Sequence, residues 1–347
     1  MAAFQAAGLA QLREAAASPL AHPTAAQLLP GAQAAEGIPR LERLLLAAAA
    51  RAPRELSPAA RDLVRAGGKR VRPLLVLLAS RAAAPGRRAR GRLALALVSE
   101  LVHSATLLHD DVIDDGLTRR GQPAPRVAYG NGVSVLAGDW LLAASLDLAL
   151  RSRAPGAVEA LVRTLRQLVE GEARQIGLRG SAGFTPEDAL EIARLKTGSL
   201  FAFCGEAGAL AARAPEPVRR ALREFGQRAG SAFQIADDLL DFEADAATLG
   251  KAVLADVAEG KPSLPLAIAL KRLPPLRKEL AELLGDAPED RRRAFAVRLG
   301  RTGALGEARR IAETERDAAL EALEAVPESP TRELLAQVAR ALLSRTN

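Results

Sequence analysis

The chain has 347 residues, of which 49% are apolar and 26% charged, a balance that excludes disordered and fibrous proteins and supplies enough length for a large core. One cysteine, Cys204, excludes an intrachain disulfide and any zinc site built on two cysteines of this chain; three histidines, His22, His103 and His109, nearly exclude a histidine-rich metal centre. A net charge of +7 calls for an anionic partner, but aromatics at 3% leave few platforms for stacking bases, so a phosphorylated small molecule fits better than nucleic acid.

Residues 1–36 are rich in Ala and Pro with weak periodicity and are expected to form a loosely attached arm. Met1 to Leu20 has no basic segment ahead of an apolar one, so no secretory signal is expected and the protein is placed in the cytoplasm. The longest uncharged stretch, Ala15 to Ala35, is broken by Pro19, Pro23 and Pro30 and does not read as a membrane span. Residues 37–347 are predicted as a single helical domain. Apolar positions recur at three and four, and Gly/Pro breakers cut the pattern into about ten to thirteen helices, which makes the fold class all-α. The amphipathic helices from residue 276 onward are expected to pack on the outside.

Four motifs carry chemistry. Gly67-Gly68-Lys69-Arg70-Val71-Arg72-Pro73 opens a helix, with Lys69 and Arg72 three apart and so read as sharing a face. Asp110, Asp111 and Asp114 follow an apolar helical run; at about 100° per residue, Asp110 and Asp114 share a face with Asp111 beside them, and the three are expected to converge on one point. Gly116 then lets the chain turn back so that Arg119 and Arg120 approach them. Lys196-Thr197-Gly198 is read as the start of a helix whose N–H groups and lysine take an anion. Asp237, Asp238 and Asp241 repeat the first acidic spacing within a second apolar helix, and Lys251 and Lys261 lie beyond them around Asp256.

Acids on a helix are usually a solvated face. Here each cluster is flanked by apolar residues, so the carboxylates need compensation, and divalent cations provide it. Carboxylates alone favour magnesium or manganese, completed by the oxygens of a diphosphate.

The chain resembles the trans (E)-polyprenyl diphosphate synthases from about residue 37 to its end, through GGKRVRP (67–73), LVHSATLLHDDVIDDGLTRRG (101–121), GDWLLA (138–143), KTGSLF (196–201), FQIADDLLDF (233–242) and LGK followed by DVAEGKPSLPL (249–266). The resemblance implies a single bundle around a central cavity, with the two aspartate motifs facing each other across its mouth. By motif match, Asp110, Asp111, Asp114, Asp237, Asp238 and Asp241 would hold three magnesium ions, with manganese able to substitute, on an allylic diphosphate. Arg119, Lys196 and Lys251 would assist there, with Thr197 and Gln234 lining the reacting region; Lys69, Arg72, His103 and Arg120 would bind isopentenyl diphosphate, and Lys261 would add charge at the mouth. Loss of the allylic diphosphate, attack by the isopentenyl double bond and proton loss to the released diphosphate would then need no side-chain base. His109 is read as a helix-packing residue or as one that supports the neighbouring aspartate, rather than as a base. A homodimer is implied, with neither nucleic-acid binding nor stable membrane insertion.

One departure stands out: Leu254 and Ala255 occupy positions between Lys251 and Asp256 where the family usually has glycine and often lysine. Product length is read from the wall before Asp110, at Thr106, Ala105 and Val102. None is aromatic, so a product longer than twenty carbons is expected, with Trp140 either a deeper floor or a core residue. The rival readings are a silent partner subunit, a cyclase or head-to-head condensing enzyme, and a nucleic-acid binder; retention of both acidic clusters together with Lys69 and Arg72 argues against them.

Overall fold

The computed structural model describes residues 37–87, 89–243, 257, 259–284 and 288–343, so the expected arm at residues 1–36, Lys251, and the departure at Leu254 and Ala255 lie outside the described residues. The described chain is helical almost throughout. In order, α1 is Ile38–Ala50, α2 Ser57–Arg65, α3 Val71–Ala83, α4 Arg92–Ile113, α5 Pro125–Tyr129, α6 Asn131–Arg151, α7 Ala157–Leu178, α8 Pro186–Ala193, α9 Ser199–Ala211, α10 Glu216–Glu243, α11 Leu264–Arg272, α12 Leu276–Leu283, α13 Glu289–Arg301, α14 Ala304–Ala322 and α15 Pro330–Leu343. These are more segments than the breakers suggested, because a short helix hides between Gly116 and Gly130 and a π-helical turn, Arg194–Gly198, joins α8 to α9. Among the described residues the one β element is a hairpin, β1 Thr118–Arg119 with β2 Gln122–Pro123, too short to show as alternation in the sequence.

The centre is α9, buried along its whole length, as its mostly apolar sequence requires, with Glu206 paired to Arg163 of α7. It runs between α3 and α10, and glycines set how close they come. A methyl group on Gly208 would sit 2.6 Å from the Val76 carbonyl oxygen of α3, and one on Gly205 would collide with the Leu222 carbonyl of α10. Gly205→Ala must therefore push two helix backbones apart. It is expected to cost about 3 kcal/mol in urea-induced unfolding; an unchanged midpoint and slope would refute this account of the core.

Pairing of α4 with α6, and of α9 with α10, makes consecutive helices antiparallel, so one end of the bundle gathers the start of α3, the end of α4, the start of α9 and the end of α10. A second apolar cluster, including Phe184, Ile235, Leu239, Leu266 and Phe295, packs α11 to α14 against the same end of α10. There α8 begins with a capping box, Thr185 and Asp188 exchanging hydrogen bonds ahead of Pro186 at its first position.

α6 differs from what its sequence suggests. By length and composition it is apolar enough to cross a membrane, with a mean hydropathy of 1.6, yet only 33% of that window is buried. Its outward face carries Val135, Leu136 and Leu150, and α7 beside it exposes Val162, Val169 and Ile176.

Candidate active site

The end of α4 carries the first acidic motif, and the three carboxylates part company there. Asp111 is fully buried, and its Oδ1 accepts from Nε of Arg119 at 2.9 Å and from Nη2 at 2.5 Å. Its Oδ2 is buried and finds no hydrogen-bond partner among the described residues. Arg119 is delivered by the hairpin, whose connecting residues Arg120 (φ 51°) and Gly121 (φ 72°) both take left-handed conformations, as a two-residue primed turn demands. Asp114, at the C-cap of α4, instead meets Nη1 of Arg179 at 2.9 Å and Nζ of Lys261 at 2.9 Å. Lys261 also pairs with Glu259, and Arg179 donates to the Glu259 carbonyl, so one knot ties the end of α4 to the segment after the second acidic motif.

Convergence of three carboxylates on one point is thus corrected: successive residues diverge by about 100°, which turns Asp111 into the core while Asp110 and Asp114 stay at the surface of the site. Among the described residues no three His, Cys, Asp or Glu side chains lie close enough to hold a metal by themselves. Oxygen donors are nevertheless present on both acidic motifs. Asp110 is pushed up from 3.8 to about 6, chiefly by burial; Lys196 opposes that push, while Glu172 and Asp114 add to it. A carboxylate raised by neighbouring carboxylates is a place where a hard divalent cation fits, with remaining ligands from water and phosphate.

Lys196 stands on the π turn, and the expectation of a helix start at Lys196-Thr197-Gly198 is corrected here: the helix continues through these residues, so their N–H groups are not an open anion site. Gly198 serves close packing, since a methyl group there would strike the Gln227 amide on α10. The turn links the two acidic motifs. Lys196 pairs with Glu172 of α7, and Thr197 donates to Oε1 of Gln234 at 2.6 Å. Gln234 in turn donates to Oδ1 of Asp238 at 2.9 Å, and the Leu264 amide reaches the other Asp238 oxygen at 3.4 Å. Asp237, Asp238 and Asp241 are all half-buried on α10.

Beside the carboxylates sits a group of cations. Lys69 precedes α3 rather than riding its face, yet it reaches the same place as Arg72: its Nζ lies 5.7 Å from the Phe233 ring centroid, and the Arg72 guanidinium lies 5.1 Å from that of Phe201, the two rings being stacked. Burial lowers Arg72 and Arg120 from the usual guanidinium range, and Glu100 opposes both shifts. The Arg72 Nε is buried without a hydrogen-bond partner among the described residues. His103 is driven far below the ordinary imidazole range by burial and then by Arg72, Arg120, Arg119 and Arg70, so it is neutral at pH 7. Arg70, by contrast, is structural: it is buried, with Nη1 2.5 Å from Glu100 and Nη2 3.0 Å from the Val64 carbonyl. Cations lowered by burial, and at Arg120 also by Arg70, Arg119 and Arg72, invite an anion. Gly68 crosses this group with φ 158°, and a methyl there would press on the Arg120 guanidinium at 3.0 Å.

The remaining predicted positions divide. His109 packs: its Nε2 lies 3.1 Å from the Val135 carbonyl oxygen, and Gly138 makes room for the ring. Thr106 shares the accessible face of α4 with His103, Leu107 and Asp110, whereas Val102 and Ala105 are 0% exposed, so their expected place on a tunnel wall is corrected to the core. Trp140 is half-buried against the main core, its indole N–H without an acceptor among the described residues. Four contributors carried no recognised signal: Arg179 and Glu172 belong to no motif, and Phe201 and Phe233 lie within motifs quoted for their neighbours.

A family model described as polyprenyl synthetase matches residues 53–297. Octaprenyl diphosphate synthase of Escherichia coli (strain K12) is 34% identical over 288 residues, covering 82% of this chain and 88% of that one. A short chain isoprenyl diphosphate synthase of Methanothermobacter thermautotrophicus is 35% identical over 300 residues, covering 84% and 91%. Among solved structures, polyprenyl synthase from Caulobacter crescentus CB15, complexed with calcium and isoprenyl diphosphate, superposes with a TM-score of 0.84 at 34% identity, over 90% of this chain and 96% of that one.

Proposed function

The chain belongs to the polyprenyl synthetase family, and from that premise we propose that it is a prenyltransferase condensing isopentenyl diphosphate head-to-tail with an allylic diphosphate into an all-trans product longer than about twenty carbons. The reading rests above all on a group of cations, Lys69, Arg72 and Arg120, gathered around neutral His103 and placed beside carboxylates that Thr197 and Gln234 join to the second acidic motif. Such a pairing suits two diphosphates of different roles, one bound through metal and one bound directly.

In this reading Asp110, Asp114, Asp237 and Asp241 hold divalent metal, magnesium by the chemistry of the donors, in three ions with manganese able to substitute. When bound, the metal supplies charge neutralisation for the departing allylic diphosphate. Asp111 acts through Arg119, fixing the guanidinium that faces that diphosphate, and Asp238 acts through Gln234. Lys196 adds a positive charge next to Asp110, and Lys251 is assigned by motif alone. The direct subsite takes isopentenyl diphosphate through Lys69, Arg72 and Arg120, with neutral His103 as a hydrogen-bonding group; a protonated imidazole among four arginines would be strongly disfavoured. Stacked Phe201 and Phe233 exclude water beside that subsite.

Incubating the chain with labelled isopentenyl diphosphate, magnesium and primers of ten, fifteen and twenty carbons tests the activity. A prenol ladder extending beyond twenty carbons is expected; no incorporation with any primer would refute the assignment. Thr106→Phe puts an aromatic ring on the accessible face one turn before Asp110 and is expected to shift the product to about twenty carbons or fewer. An unchanged ladder would remove Thr106 from the wall, leaving Trp140 to be tested in the same way.

The apolar faces of α6 and α7 fit a second copy of the chain, and we assign the protein as a homodimer on that ground. Val169 is 69% exposed, and Val169→Glu is expected to convert a dimeric mass in light scattering to a monomeric one. A dimer undisturbed by this charge would move the interface elsewhere. The single cysteine, buried Cys204, suits the cytoplasm.

A further inference from the structure

The end of the bundle opposite the aspartates holds a second cationic place. Eighteen residues along α4 separate Arg92, next to Arg90, from Asp110, about 27 Å at helical rise. Three connections meet at that far end: α3 to α4, α6 to α7 and α9 to α10. They enclose a cavity of about 470 Å³. Its floor is apolar, from residues such as Ala84, Ala154, Leu210 and Ala211, and its rim is Arg87, Arg90, Arg153 and Arg213. No acidic side chain lines it, and none of the four arginines forms an ion pair among the described residues.

Two features show that these arginines are not merely scattered surface charge. Arg153 (φ 55°) and Arg213 (φ 53°) occupy the left-handed positions just past the C-caps of α6 and α9, where glycine is favoured, and both side chains line the same cavity. Arg90 and Arg92 bracket the positive end of α4, whose first turn has no acid, so their charge opposes the helix dipole. The loops are held together by Gly91 (φ 85°): a methyl group there would lie 2.5 Å from the Ser152 carbonyl oxygen. Several guanidinium forks above an apolar floor, at a helix N-terminus, match a phosphoryl group on a partly apolar carrier.

We propose that this distal cavity is a second anion site that binds a phosphoryl group, presented by an anionic lipid headgroup or by a soluble phosphate ester. The site is independent of catalysis, because none of its residues reaches the acidic motifs.

The test uses the full chain carrying Arg72→Gln, which weakens the anion subsite at the other end, with and without Arg153→Gly and Arg213→Gly. Glycine suits both backbone positions, so the added pair removes charge while keeping the fold. In chelator, inorganic phosphate is expected to raise the unfolding temperature of the parent, with apparent affinity falling about tenfold in the glycine pair. Co-sedimentation with phosphatidylglycerol vesicles, against phosphatidylcholine, separates the sources. Vesicle binding lost in the glycine pair assigns the group to a lipid, and a phosphate effect without vesicle binding assigns it to a soluble ester. In the chain with Arg72 intact, the glycine pair should leave the KM for isopentenyl diphosphate unchanged. Equal phosphate and vesicle binding by parent and glycine pair would overturn the proposal.

Discussion

Asp110→Asn is expected to lower turnover by about three orders of magnitude and, in chelator at neutral pH, to raise the stability of the fold. The two effects have one cause. Burial, together with Glu172 and Asp114, lifts Asp110 to about 6 in the folded chain against 3.8 for an ordinary aspartate in the unfolded one. Below pH 3.8 both states hold the proton and the group is neutral with respect to folding. As pH rises through 3.8 towards 6 the unfolded chain releases its proton first, so stability falls, reaching a cost of about 3 kcal/mol by pH 7. Asparagine removes that cost together with a metal ligand. Thermal unfolding at pH 4 and pH 7.5 should therefore show the variant ahead of the wild type only at the higher pH, and magnesium with diphosphate should narrow the gap by stabilising the wild type more than the variant. A variant that retains turnover, or is less stable than wild type at pH 7.5, contradicts both the metal assignment and the electrostatics behind it.

Arg72→Gln is expected to raise the KM for isopentenyl diphosphate about a hundredfold while changing the KM for the allylic primer little. The guanidinium lies over Phe201 with its Nε unpartnered among the described residues, and Asp237 is one of the charges that keep it protonated. Arg72 is also the first charge, after burial, that holds His103 down. Its loss should move the His103 titration, followed by NMR, upward towards the usual imidazole range. A hundredfold KM effect without movement of His103 would place Arg72 outside the cationic group, and an equal rise in both KM values would make it a general structural residue.

The chemistry of this site was legible in residue types and spacing; its geometry was legible only in part. Acids at i, i+1 and i+4 identified Asp110 and Asp114 as neighbours because four residues nearly complete a helical turn, and Gly116 signalled the return of Arg119, but the same geometry turns Asp111 inward, and only the structure shows that Arg119 follows it there. The wall before Asp110 follows the same rule. Thr106 is about 40° from Asp110 around the helix and faces the site, whereas Ala105 at about 140° and Val102 at about 80° fall in the core. Lys196-Thr197-Gly198 suggested a helix start, yet the helix runs on through a π turn where Gly198 permits α10 to approach, a use that depends on a partner distant in sequence. Arg179 left no trace, since one arginine without a motif looks like any other; its role arises from Asp114 and Glu259, 65 and 80 residues away.

The claim on which the rest depends is that both acidic motifs grip one diphosphate through shared metal. A crystal grown with manganese and a non-ionisable allylic thiodiphosphate measures this directly. The account predicts anomalous peaks about 2.1 Å from carboxylate oxygens of Asp110 and of Asp237, bridged by one diphosphate that also meets Lys196. Peaks confined to a single motif, or a diphosphate seated only among Lys69, Arg72 and Arg120, would contradict it.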